Sequence, residues 1–192
     1  FADQFRPHAA ESVKTLLNEK LRVEILSGDR AALVEGIGAK LGIAGRGSLL
    51  PEDKLHRIEE LEAAGHRTLM VGDGLNDTPA MARAHASMAP GSAIDIGRNA
   101  ADLVFMKNDL NAIPMAIAVA KGANRLVRQN LALALLYNAV ALPVAIAGFV
   151  NPFLAAIAMS ASSVVVVANA LRLGWRPLVR NETVSDLQDQ TA

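Results

Sequence analysis

Two carboxylates stand four residues apart in GDGLND, Gly72 to Asp77. They follow directly on the apolar run LMV. Gly72 and Gly74 let the backbone turn tightly at that point. Asp73 then projects from the end of a strand, and its hard oxygen atoms suit Mg²⁺. Asn76 and Asp77 lie one helical turn along. They are placed to fix such an ion, its waters or a ligating carboxylate. The same residues would also suit an Asp-rich loop that only caps a helix.

Two other stretches carry compatible chemistry. In LSGD, Ser27 offers a hydroxyl and Gly28 a backbone N–H, followed by Asp29. Such a turn can cradle phosphoryl oxygens, and it can equally be an ordinary serine turn. Lys54, in PEDK, is a cation at the start of a helix. A fixed ammonium there can neutralise charge on a transferring phosphoryl group, while a lysine taken alone reads as a solvated side chain. The order of hydroxyl turn, lysine and Asp-x-x-x-Asp is more specific than any one part.

The elements that must position these residues follow a β-α-β-α rhythm. Residues 8–20, 30–43 and 51–65 show helical spacing, the last opening on Pro51 and two acids. RVEILSGD and RTLMVGDG read as strands that end in polar turns. TPAMARAHA reads as a short helix, and ASMAP and DLVFM as further strands. This alternation predicts an α/β domain with a Rossmann-like parallel sheet. Ligands of such sheets bind at the carboxyl ends of the strands, where SGDR and GDGLND both fall.

From Asn111 onward the pattern becomes one long helix. It carries Lys121, Arg125 and Arg128, and then runs into LALALLYNAVALPVAIAGFV. About 20 apolar residues cross a hydrocarbon core of roughly 30 Å. NPFLAAIAMSASSVVVVANAL is a second span, with Gly148, Asn151 and Pro152 turning between them. No Asp, Glu, Lys, Arg or His occurs from Gln129 to Leu171. Basic residues flank both outer ends, with Arg172, Arg176 and Arg180 following the second span. Both ends are therefore expected on the cytoplasmic side of an inner or plasma membrane, in a multi-pass protein. A buried helical hairpin of a soluble core is the alternative.

The expected divisions are a phosphate-handling domain at 1–110, a linking helix at 111–130, two membrane helices at 131–173 and a polar tail at 174–192. The net charge over 192 residues is zero, which gives no support for nucleic-acid binding. No cysteine is present, so these residues form neither a disulfide nor a thiolate metal site. The opening FADQFRPHAAESV reads as the middle of a domain, as expected of the C-terminal piece of a longer protein.

Polar atoms inside the spans are costly and tend to face the bundle interior. Tyr137 and Asn138 lie in the first span. Met159 and Ser163 lie in the second, four apart and so on one helical face. A thioether with a hydroxyl and an amide, and no carboxylate, suits a soft monovalent ion such as Cu(I). The serines can also serve small-residue packing or bond back to their own helix, Tyr137 can anchor at an interface, and Met159 can face lipid.

SGD, PEDK and MVGDGLNDTPAMARA together resemble the phosphorylation domain of P-type ATPases, within the haloacid-dehalogenase-like superfamily. The resemblance covers roughly the first 110 residues. It implies that Asp73 coordinates Mg²⁺, that Asn76 and Asp77 organise the site, and that Lys54 contacts the phosphoryl group. It also implies that Ser27 stands where the family usually has threonine, with Gly28 and Asp29 completing the turn. The family's nucleophile lies in DKTGT, which is absent here, as is its nucleotide-binding domain. These residues alone are therefore expected not to hydrolyse ATP. Tyr137-Asn138 with Met159 and Ser163 resembles the Cu(I) class of heavy-metal P-type ATPases, whose zinc and cadmium members carry an acid in the last span. AMSASSVVVVANALRL resembles the last helix of the copper ATPases that serve bacterial cytochrome oxidase assembly. The implied cofactors are Mg²⁺ and ATP, with Cu(I) as cargo and export from the cytoplasm as the direction. The implied partners are the lipid bilayer, the transported ion and a copper chaperone. The alternatives are a pump for Ag, Zn or Co and a membrane-anchored dehalogenase-like phosphatase.

Overall fold

The computed structural model describes residues 8–73, 75–93, 99–106, 109–149 and 151–173. They fall into two units, residues 1–114 and 115–192.

Among the described residues the first unit holds five short strands and four helices. In chain order these are α1 (Ala9–Asn18), β1 (Glu24–Leu26), α2 (Ala31–Leu41), β2 (Ala44–Arg46) and α3 (Pro51–Ala63). They are followed by β3 (Leu69–Val71), α4 (Thr78–Arg83), β4 (Ala86–Pro90) and β5 (Leu103–Phe105). All pairings are parallel, in two sheets ordered β1-β2 and β3-β4-β5. Parallel strands need crossover connections: α2 makes the one from β1 to β2 and α4 the one from β3 to β4, while α3 links the two sheets. The architecture is the expected α/β arrangement with parallel strands, divided here between two sheets.

The four strand-like runs of the sequence contain β1, β3, β4 and β5. Strand β2 is an addition, hidden because AGR has neither alternation nor β-branched residues. Its formation depends on Gly45. A Cβ there would collide with the Val34 carbonyl of α2, so only glycine lets this strand lie against the helix.

Helix α3 starts as its sequence dictates. Pro51 occupies the first turn, where its missing N–H costs nothing. The Asp53 carboxylate accepts from the Leu50 amide at 2.8 Å, satisfying one donor of the helix start. Ile58 of α3 and Ala80 and Met81 of α4 pack with Met70, Ala89 and Ala93 as the core of the second sheet. Burying a methionine such as Met81 stabilises by roughly 1.5–3 kcal/mol.

The described residues of the second unit form two helices. Helix α5 runs Ala112–Ile146 without interruption, with Pro143 inside it. It is the one helix among the described residues long and apolar enough to cross a membrane. Helix α6 covers Pro152–Leu171, 20 residues, or about 30 Å at 1.5 Å per residue. Gly148 takes a left-handed φ of 78° after α5. Asn169 near the end of α6 donates to Asn130 Oδ1 at 2.8 Å, so the outer ends of the two apolar stretches lie side by side. The tail at 174–192, with Arg176 and Arg180, lies outside the described residues.

Candidate phosphoryl and metal sites

The parallel ladder of β3, β4 and β5 ends at Val71, Pro90 and Phe105. Gly72 extends it by one bond, its N–H donating to Met88 O at 3.1 Å. The chain then turns through an exposed Asp73 into a short 3-10 turn, Leu75–Asp77, that leads into α4. Gly74 lies outside the described residues. Asn76 is exposed.

Asp77 is bound to α3. Lys54 Nζ donates to Asp77 Oδ1 at 2.7 Å, with side chains 10% and 14% exposed. Lys54 is thus a buried, paired cation and not a solvated one. A partner is what such burial requires, since an unpaired ammonium would be too costly to desolvate. Gly72 makes the arrangement possible. A Cβ on it would stand 2.6 Å from Asp77 Cβ and 2.9 Å from Asp77 Oδ2. The glycine serves close approach as much as turning.

The Ser27 turn is closed on itself. Ser27 Oγ donates to Asp29 Oδ2 at 2.8 Å and accepts from the Asp29 N–H at 3.2 Å. Its backbone N–H donates to Arg46 O, and its carbonyl accepts from the Leu49 N–H. Gly28 has ordinary room, the nearest atom to a Cβ being Leu49 O at 3.4 Å. The turn therefore sits at the carboxyl end of β1, with the hydroxyl of a half-buried Ser27 already oriented by Asp29.

Glu24, three residues before Ser27, was not singled out by its sequence, although an acid inside the apolar run VEIL was the available signal. It takes two bonds from Arg57 of α3, Nε to Oε2 at 3.0 Å and Nη2 to Oε1 at 2.8 Å. Arg22 and Arg46 stand at 2.7 and 3.9 Å. The Arg57 hydrogen bonds hold the Glu24 carboxyl below its ordinary 4.5, against the upward push of burial. The same pair raises the Arg57 guanidinium.

The donor set suits a hard cation. Asp73 is a strand-end carboxylate in an exposed position, and Asp77 already gives one oxygen to Lys54. Among the described residues no three His, Cys, Asp or Glu side chains converge as a metal-ligating cluster. As ligands, Asp73 and Asp77 would make up only part of a set.

In the second unit, Tyr137, Asn138, Met159 and Ser162 line one largely apolar groove of about 1030 Å³ between α5 and α6. Ser163 is bonded back to its own helix, Oγ to Met159 O at 3.2 Å. Of the two serine readings, the structure shows back-bonding at Ser163. Met159 is 66% exposed.

The haloacid dehalogenase-like hydrolase family matches residues 1–85. That stretch contains β1, β2, β3 and the GDGLND turn. The nitrogen fixation protein FixI of Rhizobium leguminosarum bv. viciae is 52% identical over 92% of the chain and 24% of its own length. The copper-exporting P-type ATPase of Mycobacterium leprae is 39% identical over 90% of the chain and 22% of its own length. A zinc-transporting PIB-type ATPase crystallised in its E2.Pi state superposes with a TM-score of 0.84, at 32% identity, over 89% of the chain and 28% of that protein. Over about nine-tenths of its length the chain is similar to a segment of these copper- and zinc-transporting P-type ATPases. It spans about a quarter of the length of these relatives.

Proposed function

We propose that these residues form part of an ATP-driven Cu(I) transporter working through an aspartyl-phosphate cycle, with the acceptor aspartate and nucleotide domain supplied by sequence beyond the 192 residues. The observation that carries this reading is the buried Lys54–Asp77 pair beside an exposed Asp73. It holds an ammonium and a carboxylate in fixed relation at the carboxyl end of a parallel strand.

Mg²⁺ would be held by Asp73, with Asp77 and Asn76 behind it, and when bound it screens charge on the phosphoryl group. Lys54 is fixed by Asp77 and needs little reorganisation to present positive charge to phosphoryl oxygens. Ser27 offers a hydroxyl that Asp29 orients. These side chains position and neutralise, which is most of what phosphoryl transfer asks of a protein.

Cu(I) is the cargo favoured by the groove, where Tyr137, Asn138, Met159 and Ser162 offer oxygen, amide and thioether donors and no acid lies between Gln129 and Leu171. Soft donors without a carboxylate favour Cu(I) over Zn²⁺. Two antiparallel spans with both outer ends cytoplasmic complete the topology, in an inner or plasma membrane. A copper chaperone is the expected cytoplasmic source of the ion. ATPase activity of the complete pump with Cu(I), Ag(I), Zn²⁺ and Co²⁺ tests the cargo. Cu(I) and Ag(I) should stimulate; stimulation by Zn²⁺ without Cu(I) rejects it.

A further inference from the structure

The two turns of the phosphoryl site stand on different sheets. Ser27 follows β1, and Asp73 follows β3. Among the described residues no ladder joins β1-β2 to β3-β4-β5. Backbone hydrogen bonding therefore does not set one turn against the other. Among the described residues, helix α3 is the element with side-chain bonds to both. Lys54 reaches Asp77 after β3, and Arg57 reaches Glu24 at the start of β1. Lys54 and Arg57 are three apart, so they are neighbours on the helix surface.

We propose that Arg57, through its forked pair with Glu24, is a positioning residue that holds Lys54 and the Ser27 turn in working register. The inference rests on the phosphoryl-site reading above. Its geometry is specific. Two N–H donors of one planar guanidinium meet the two oxygens of one carboxylate at 3.0 and 2.8 Å. Such a fork fixes angle as well as distance, which a lysine cannot do. The Arg57 and Glu24 side chains are 13% and 9% exposed, so solvent competes little for the bonds. Arg57 also donates to Glu60 at 2.9 Å, but that partner is 64% exposed and contributes little. Glu24 leads a three-residue strand whose next residue is Ser27. A shift of the clamp is transmitted along that short strand to the hydroxyl.

The test uses the complete pump carrying Arg57→Lys, Glu24→Gln, both together, and Lys54→Ala as a control on the site reading. The readouts are phosphoenzyme decay rate, KM for ATP, and the thermal midpoint. Arg57→Lys keeps the charge and loses the fork. It should slow decay by about tenfold to a hundredfold, the cost of a small misplacement, with KM unchanged and the protein still folded at the assay temperature despite a lowered midpoint. Glu24→Gln should slow decay comparably, and the double variant should be no slower than the worse single one. Wild-type decay in Arg57→Lys, with Lys54→Ala impaired, overturns the positioning role alone. So do losses that multiply in the double variant. Wild-type decay in Lys54→Ala overturns the site reading, and the positioning role with it.

Discussion

Replacing Lys54 by methionine keeps the aliphatic stem and removes the ammonium. Asp77 then loses its partner at a site where its side chain is only 14% exposed. Breaking a well-buried pair by removing one member costs about 3–5 kcal/mol, whereas an exposed pair is worth no more than about 1 kcal/mol. The 2.7 Å geometry and the low exposure of both partners place this pair near the lower end of the buried range, at about 3 kcal/mol. The loss should be local to α3, β3 and the turn after β3. Amide hydrogen exchange in the complete protein reads it directly, because the Gly72 N–H is bonded to Met88 O at 3.1 Å. At about 1.4 kcal/mol per factor of ten, exchange there should quicken by about a hundredfold. The Lys54→Met, Asp77→Asn double variant should recover much of this protection, since no unpaired charge remains. Exchange that quickens less than about fivefold would mean that the pair behaves as a surface contact, and the reasoning from burial would fail.

Four other outcomes are expected. Gly72→Ala places a Cβ 2.6 Å from Asp77 Cβ and should cut phosphoenzyme turnover about a hundredfold, measured by decay of labelled enzyme. Glu24 has its carboxyl lowered below 4.5 by Arg57, so its contribution to stability is full above that value and is lost as pH falls below it. Thermal midpoints across the acid range should show this limb in the wild type and a flatter one in Glu24→Gln. Met159→Leu should raise the Cu(I) concentration for half-maximal ATPase activity by about tenfold or more while leaving the ATP requirement unchanged. A Gly-rich insertion near Gly122 breaks the uninterrupted helix Ala112–Ile146 and should uncouple copper transport from ATP turnover, as read by transport in vesicles beside ATPase rate.

Much of this organisation is legible in the residues themselves because local rules and global fold agree. Pro51 with two acids announces α3, and LMV before GDG announces a strand end. The charge gap from Gln129 to Leu171 announces the apolar helices. What stays hidden depends on contacts distant in sequence. Lys54 reads as a surface lysine because its partner lies 23 residues away. The Glu24–Arg57 fork spans 33 residues, and no pattern within a helix or a strand encodes it. Strand β2 escapes because its glycine is dictated by the Val34 carbonyl of a neighbouring helix. Ser163 shows the reverse difficulty. Its four-residue spacing from Met159 fits both a shared metal face and a hydroxyl bonded to the Met159 carbonyl, and the latter bond is present.

The most direct test is acid-stable phosphoenzyme formation from labelled ATP in the complete pump, with Cu(I) or Zn²⁺ supplied, for wild type and Asp73→Asn. The account predicts a phosphoenzyme that requires Cu(I) in the wild type and is lost or strongly reduced in Asp73→Asn. A phosphoenzyme that forms with Zn²⁺ and not Cu(I), or that reaches wild-type level and turnover without the Asp73 carboxylate, would contradict it.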